Sequence, residues 1–402
     1  MENKRVPEIR IPGFDREWEE MKLSDLYNVY SGQTPLRSDS SNFDNPNTAW
    51  IKTTDLNNSA ITRNEENISE KAAEKLKILK CGTVLIAMYG GFNQIGRTGL
   101  LTYPATINQA LSALEPNDNI VPYFLITELN FRVNEWQRLA ASSRKDPNIT
   151  KKDVESFIFN FPSYDEQTKI GNFFKHLDDV ITIHEQELTT LKQTKQGFLE
   201  KIYSQEIRFR NEFGEDFPNW ETSALSKVLS IPEKEIEKNV SKNKLLTVKL
   251  HRNGVQINQN TATLKIGSTN YYKRKSGQFI YGKQNFFNGA FDIIPDRYDG
   301  YLSSGDIPTL NIDENKIFPL YLLYYMGRES FYRRAEKFSS GTGSKRIHET
   351  TLLKINIKLP TMKEQQKIGN FFKQLDDTIA LHEQELDTLK QTKKAFLQKM
   401  FV

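Results

Sequence analysis

Between residues 170 and 202 the apolar positions fall on one repeating spacing. Ile170, Phe174, Leu177, Ile181, Leu188, Leu191, Phe198 and Ile202 are separated by steps of four and three once His184 and Lys195 are included. That spacing predicts a single long helix with a heptad seam, the pattern of a paired coiled coil. The same spacing returns as Ile368, Phe372, Leu375, Ile379, His382, Leu386, Leu389, Lys393, Phe396 and Met400. A helix of about 35 residues would be roughly 50 Å long. Pro162 and Pro360 stand just upstream, where a missing backbone donor costs nothing.

The two helical segments are copies of each other. Aligned from Pro162 and from Pro360, about two-thirds of the positions are identical. Weaker echoes precede them. Glu8-Ile9-Arg10 returns as Glu206-Ile207-Arg208, and Trp18-Glu19 as Trp220-Glu221. Helices are predicted to start near Pro122 and Pro319, each followed by a Ser-Ser turn (Ser142-Ser143, Ser339-Ser340) and a short apolar strand. The pattern is a duplication, with globular domains at 1–158 and 206–355 and long helices at 159–205 and 356–402. The expected fold class is mixed α/β (α+β), two globular domains joined by two antiparallel helices with an internal pseudo-twofold. Solvent-side positions such as Gln186, Lys192 and Gln193 also recur, which points either to two copies of one partner or to a recent duplication or recombination that preserved them.

Composition narrows the class. The chain has 402 residues, 37% hydrophobic and 26% charged, with formal net charge +4. This suits two modest globular domains and excludes neither nucleic acid nor protein as a partner. No apolar run approaches the roughly 18 residues of a membrane span, so no membrane partner is expected. No secretory apolar region follows Met1. The lone Cys81 allows no internal disulfide; a reduced cytoplasmic setting is expected, with Cys81 a small core residue.

Pro-x-x-x-Glu-Gln-x-Lys-Ile-Gly opens both helices. The first domain adds Gly32-Gln33-Thr34-Pro35, Trp50-Ile51-Lys52-Thr53-Thr54-Asp55-Leu56, the loop 88–97 and Asn108-Gln109-Ala110. In this order they resemble the specificity subunits of type I restriction–modification systems over essentially the whole chain. The resemblance implies target-recognition domains that each read one half of a split, asymmetric duplex DNA site, with the helices as a ruler. It implies two methyltransferase subunits and ATP-driven motor–nuclease subunits as partners. S-adenosylmethionine, ATP and Mg would be carried by those partners, with no cofactor on this chain.

Base reading requires amide, guanidinium or ammonium groups at a groove floor. The first-domain candidates are Lys52, Thr53 and Thr54 with Tyr89, Gly91, Phe92, Asn93, Gln94 and Arg97 of a glycine-rich loop. On residue pattern alone an ordinary hairpin turn is equally good; the resemblance favours DNA. Ser143, Arg144 and Lys145 suit phosphates. The second domain departs from the first between 240 and 300. Its candidates are the turn His251, Arg252 and Asn253, the basic–aromatic run Tyr271, Tyr272, Lys273 and Arg274, then Lys283, Asn285 and Asn288. Ser340, Thr342, Ser344, Lys345 and Arg346 suit phosphates.

The sequence carries no catalytic signature. His184-Glu185 and His348-Glu349 lack the second histidine of a zinc-protease helix, and no phosphate-binding lysine loop is present. Asn45-Pro46-Asn47 is not an adenine-methyltransferase motif. No catalytic or metal-binding residue is assigned, and a coiled-coil protein scaffold remains the competing reading.

Overall fold

The structure, a computed structural model, describes residues 6–141, 147–260, 269–340 and 345–402. It separates into two units, Met1–Gln186 with Glu383–Val402, and Glu187–His382. The two long helices, Tyr164–Tyr203 and Met362–Met400, are each divided between the units. The expected mixed fold with two long helices is borne out. No helix among the described residues is long and apolar enough to cross a membrane.

The first unit is built on a five-stranded sheet. Its order is Tyr30–Ser31, Leu111–Leu114, Val84–Ala87, Thr98–Leu101, Ser59–Ile61. Val84–Ala87 is buried along its whole length, which explains its uninterrupted apolar sequence. One face packs against the helix Pro122–Phe131, where Phe124, Leu125 and Leu129 are buried. The second unit repeats this with four strands, Leu229–Ser230, Thr309–Ile312, Phe279–Tyr281 and Phe291–Ile293, and the helix Pro319–Met326. Both of these helices begin with proline at their first turn, as expected.

The repeated helix entrance is explained by its contacts. Glu166 is 1% exposed, and both its oxygens accept from Arg10 at 2.8 Å. Glu364, also buried, is held in the same way by Arg208. The next residue fixes the loop before the domain's own helix. Gln167 accepts from the Val121 N–H and donates to the Asn119 and Pro162 carbonyls. Gln365 accepts from the Phe318 N–H and donates to the Lys316 and Pro360 carbonyls. The glycine of the motif allows close approach: a Cβ on Gly171 would lie 3.1 Å from Phe124 N, and one on Gly369 2.8 Å from the Phe318 ring.

Within the first unit the helices run antiparallel. Phe173 meets Phe396 edge-on with centroids 5.0 Å apart, Lys393 bonds Asp178, and Lys390 pairs with Glu185. As one number rises the other falls. In the second unit Phe371 meets Phe198 at 5.3 Å and Lys195 bonds Asp376. Each carboxylate also accepts from a tyrosine of its own domain, Asp178 from Tyr123 at 2.8 Å and Asp376 from Tyr324 at 2.6 Å.

The seam differs from its sequence reading. Leu177, Ile181, Leu188, Leu191, Phe198, Leu375, Ile379, Leu386, Leu389 and Phe396 are buried or half-buried. Ile170, Phe174, Ile368 and Phe372, however, belong to the domain cores. They face the domain because the first turns of each helix must close it. The cross-helix aromatic contact falls instead to the adjacent Phe173 and Phe371. The far end of each helix is also used: Met400 and Phe401 complete the first core beside Trp18, and Ile202 and Tyr203 the second beside Trp220. Cys81 is exposed, since it lies in the turn before the buried strand rather than on it.

Candidate nucleic-acid interface

In each unit one loop joins two antiparallel strands of the central sheet. In the first it is residues 88–97, between Val84–Ala87 and Thr98–Leu101. In the second it is residues 282–290, between Phe279–Tyr281 and Phe291–Ile293. The loops are topological equivalents with different side chains.

The first loop folds as a glycine-permitted turn. Gly90, Gly91 and Gly96 have positive φ, and Gln94 and Ile95 N–H both donate to Gly91 O. Ile95 is buried, and Gly96 lies against Trp136 where no Cβ would fit. This pins the loop's end and leaves Tyr89, Gly91, Phe92 and Asn93 exposed at its tip. The short helical turn Thr53–Asp55 is brought alongside, with Thr53 Oγ1 3.6 Å from the place of a Gly90 Cβ. Thr54, Asn57, Arg63 and Asn64 line an adjoining cavity of about 410 Å³.

Several candidates are already committed. Arg97 turns back and donates to the Leu56 carbonyl at 3.4 Å. Lys52 is paired with Glu66 at 3.2 Å and Glu65 at 3.5 Å. Gln94 is half-buried, with its Oε1 buried. These three frame the loop, while Asn93 is exposed and Thr54, also exposed, donates its hydroxyl to Glu65 at 3.1 Å. Asn108 is half-buried and caps its own turn, and Gln109 bonds Thr34.

The second unit assembles a comparable surface from more distant pieces. The hairpin of Leu246–Val248 and Val255–Ile257 ends in a turn with His251 and Arg252 both at positive φ. Their N–H groups donate to the Asn288 and Gly289 carbonyls at 2.8 and 2.9 Å, docking the turn on the 282–290 loop. His251, Asn253, Asn285 and Asn288 are exposed. Asn285 and Asn288 line an open cavity of about 360 Å³ with Arg333 and Lys345. Lys345 pairs with Glu336 at 2.8 Å, and Arg346 lies 3.6 Å from Asp306. Ser340 and Arg346 exchange backbone hydrogen bonds. Both loops are buttressed alike: Ile149 N–H donates to Met88 O, and Ile347 N–H to Lys283 O. Ser143, Arg144, Lys145, Thr342 and Ser344 lie outside the described residues.

Three second-domain readings are corrected. Arg252 points inward, its guanidinium 5.6 Å from the Tyr324 ring and packed on Gly327, which has no room for a Cβ. Tyr271 is buried in the strand Tyr271–Lys273. Arg274 is 5% exposed and donates to Ser303 Oγ, Thr309 Oγ1, and the Ser304 and Ile307 carbonyls. Burial holds its guanidinium down to about 10. A dense basic–aromatic run looks like a surface strip, but strand alternation turns part of it into the domain. Tyr272 and Lys273 remain at the surface; Lys283 is paired with Glu349 at 3.0 Å. The sequence reading missed Arg63 and Arg333, which reach these cavities from separate segments and carried no motif of their own.

Known proteins share this arrangement. The model of the type I restriction modification DNA specificity domain matches residues 15–193 and again 218–391. The MjaIX type I specificity subunit of Methanocaldococcus jannaschii is 24% identical, over 96% of this chain and 93% of that protein. The S subunit structure from M. genitalium superposes with a TM-score of 0.63 at 14% identity, covering 99% of both chains. A structure described for complex assembly and conformational transition of the type I R-M system gives 0.53 at 16% identity, over 98% of this chain and 99% of that one. With one copy of the domain matched in each half, the chain belongs to the type I restriction modification DNA specificity family.

Proposed function

We propose that this chain is the non-catalytic, DNA-reading subunit of a type I restriction–modification complex, and that its two target-recognition domains, 1–158 and 206–355, each read one half of a bipartite, asymmetric site. The carrying observation is the loop pair 88–97 and 282–290: one topological position, used twice, with unlike side chains. Same placement with different chemistry is what reading two different half-sites requires. Asn93 and Phe92 are the base-facing groups of the first loop, with Thr54 of the adjoining turn beside them; Asn285, Asn288, His251 and Asn253 serve the second. Lys345, Arg346 and Arg333 meet phosphates.

The helices 159–205 and 356–402 set the unread gap and dock two methyltransferase subunits through their repeated surface. Those subunits carry S-adenosylmethionine, and motor–nuclease subunits with ATP and Mg join them. A cytoplasmic setting goes with this reading. The test is genome-wide mapping of methylated adenine in cells expressing the chain with its methylating partner. One bipartite, non-palindromic motif is expected. Inserting one helical turn into both repeats adds about 5 Å and should widen its gap by one or two base pairs without altering either half. An unchanged motif, or none that depends on this chain, ends the proposal.

A further inference from the structure

Beside the second reading loop lies a cavity of about 250 Å³ that the proposed base contacts do not use. Its walls include Lys234, Arg274, Lys283, Tyr272, Thr309 and Glu349. Among the described lining residues, three cations face one carboxylate. The Lys283–Glu349 pair at 3.0 Å satisfies one of them. Arg274 is buried and held by hydroxyls and carbonyls, all neutral; among the described residues no carboxylate bonds it, and Glu349 acts on it only through space. A buried charge ordinarily has a counter-charge. Lys234 stands at the exposed rim, its ammonium 6.0 Å from the Tyr272 ring centroid.

Among the described residues, the corresponding corner of the first unit is packed differently. After the strand Tyr30–Ser31, Gly32 lies directly on the Ile107 and Asn108 carbonyls, and Trp50 Nε1 donates to the Gln33 carbonyl at 3.2 Å. That corner is closed by backbone. In the second unit the residues after Leu229–Ser230, Ile231, Pro232 and Lys234, form one wall of the cationic cavity.

We infer that this cavity is a phosphate-binding site, which seats one backbone phosphate of the DNA strand read by the 282–290 loop. Lys283 opens that loop, so a phosphate held here would fix the strand's register against Asn285 and Asn288. The volume lies below the roughly 300–1,000 Å³ of small-molecule pockets, and suits a single phosphate group better than a whole nucleotide. Arg274 provides fixed positive charge behind Thr309, and Lys234 and Lys283 provide the donors. Resting on the DNA-reading proposal, this inference concerns affinity and not sequence.

The experiment uses the full chain assembled with its methylating partner. Lys234→Glu reverses charge at an exposed position, and Lys283→Gln is the second variant. Each should weaken binding of cognate and unrelated duplexes alike, about tenfold, and reduce the slope of log K against log salt by about one. The methylation motif should stay unchanged in both, and the melting temperature should stay unchanged for the exposed Lys234→Glu; Lys283→Gln leaves Glu349 without its partner and should melt lower, so its affinity is read on the folded complex below that transition. Asn288→Ala is run in parallel as the reading control. If Asn288→Ala alters one half-site while both lysine variants keep parental affinity and slope, the DNA-phosphate site is overturned and the reading function stands. If inorganic phosphate raises the melting temperature of the parent but not of Lys234→Glu, and DNA binding is unaffected, the site takes free phosphate and the backbone assignment falls. If the parental complex shows no sequence preference at all, the reading function itself has failed.

Discussion

Gln167 Oε1 accepts the backbone N–H of Val121 at 2.9 Å, and this one side chain ties the entrance of the first long helix to the helix of its own domain. Its Nε2 donates to two further carbonyls, and the residue is 1% exposed. Gln167→Ala takes the partner from three backbone groups, one buried and two part-buried, and should cost about 2–3 kcal/mol. Gln365→Ala should cost about the same, because its bonds are the same. Urea denaturation of each variant checks this; a loss below ~0.5 kcal/mol for either would mean that water replaces the amide.

The buried Glu128 predicts a pH dependence. Burial pushes its carboxyl up to about 8, against the pull of Arg132 at 3.2 Å. The folded state therefore holds this proton more firmly than the unfolded chain does. The group's contribution is fully present below its ordinary value of 4.5 and is lost as pH rises through about 8. Among the described residues, Oε2 of Glu128 is buried without a hydrogen-bond partner, which disfavours its charged form further. Glu128→Gln keeps a donor at every pH. Its urea midpoint should change less than the parent's between ~pH 6 and ~pH 9; parallel curves would refute the assignment.

What could be read from the chain depended on periodicity. The long helices and their antiparallel pairing followed from repeated spacing, and the proline-started helices from their first residues. Sequence repetition also marked Glu166-Gln167 and Glu364-Gln365 as important, although not why: their partners Arg10, Val121, Arg208 and Phe318 are remote in sequence. The first reading loop was legible because three glycines announce it. The second was only partly so. Arg274 and Arg252 resemble surface cations in one dimension, and burial is decided by strand phase and by turns with positive φ, which the letters His251-Arg252 do not advertise. Arg333 reaches its cavity by tertiary packing alone.

Arg274 should behave as a structural residue. Arg274→Met removes four hydrogen-bonding partnerships from Ser303, Thr309 and two carbonyls, and should destabilise the second unit by about 2–4 kcal/mol. The methylation motif of the surviving folded protein should be unchanged, because the guanidinium does not reach the surface. A new base preference in the second half-site with unaltered stability would contradict its placement.

The reading loops allow the sharpest discrimination between the halves. Asn93 is exposed at the tip of the first loop, and Asn288 on the second. An amide that pairs with adenine contributes about 1–3 kcal/mol of base discrimination. Asn93→Ala should relax one position in one half-site, and Asn288→Ala one position in the other, each leaving the gap and the opposite half intact. The changes should be independent, since neither loop contributes to the other unit's sheet; the double variant should therefore show both relaxations together. Methylated-adenine mapping for the parent, the two single variants and the double variant checks all of this at once. If Asn93→Ala alters both halves, the two domains do not read separately. If neither variant alters any position, bases are read elsewhere, and the exposed tips at Phe92 and His251 are the next residues to change.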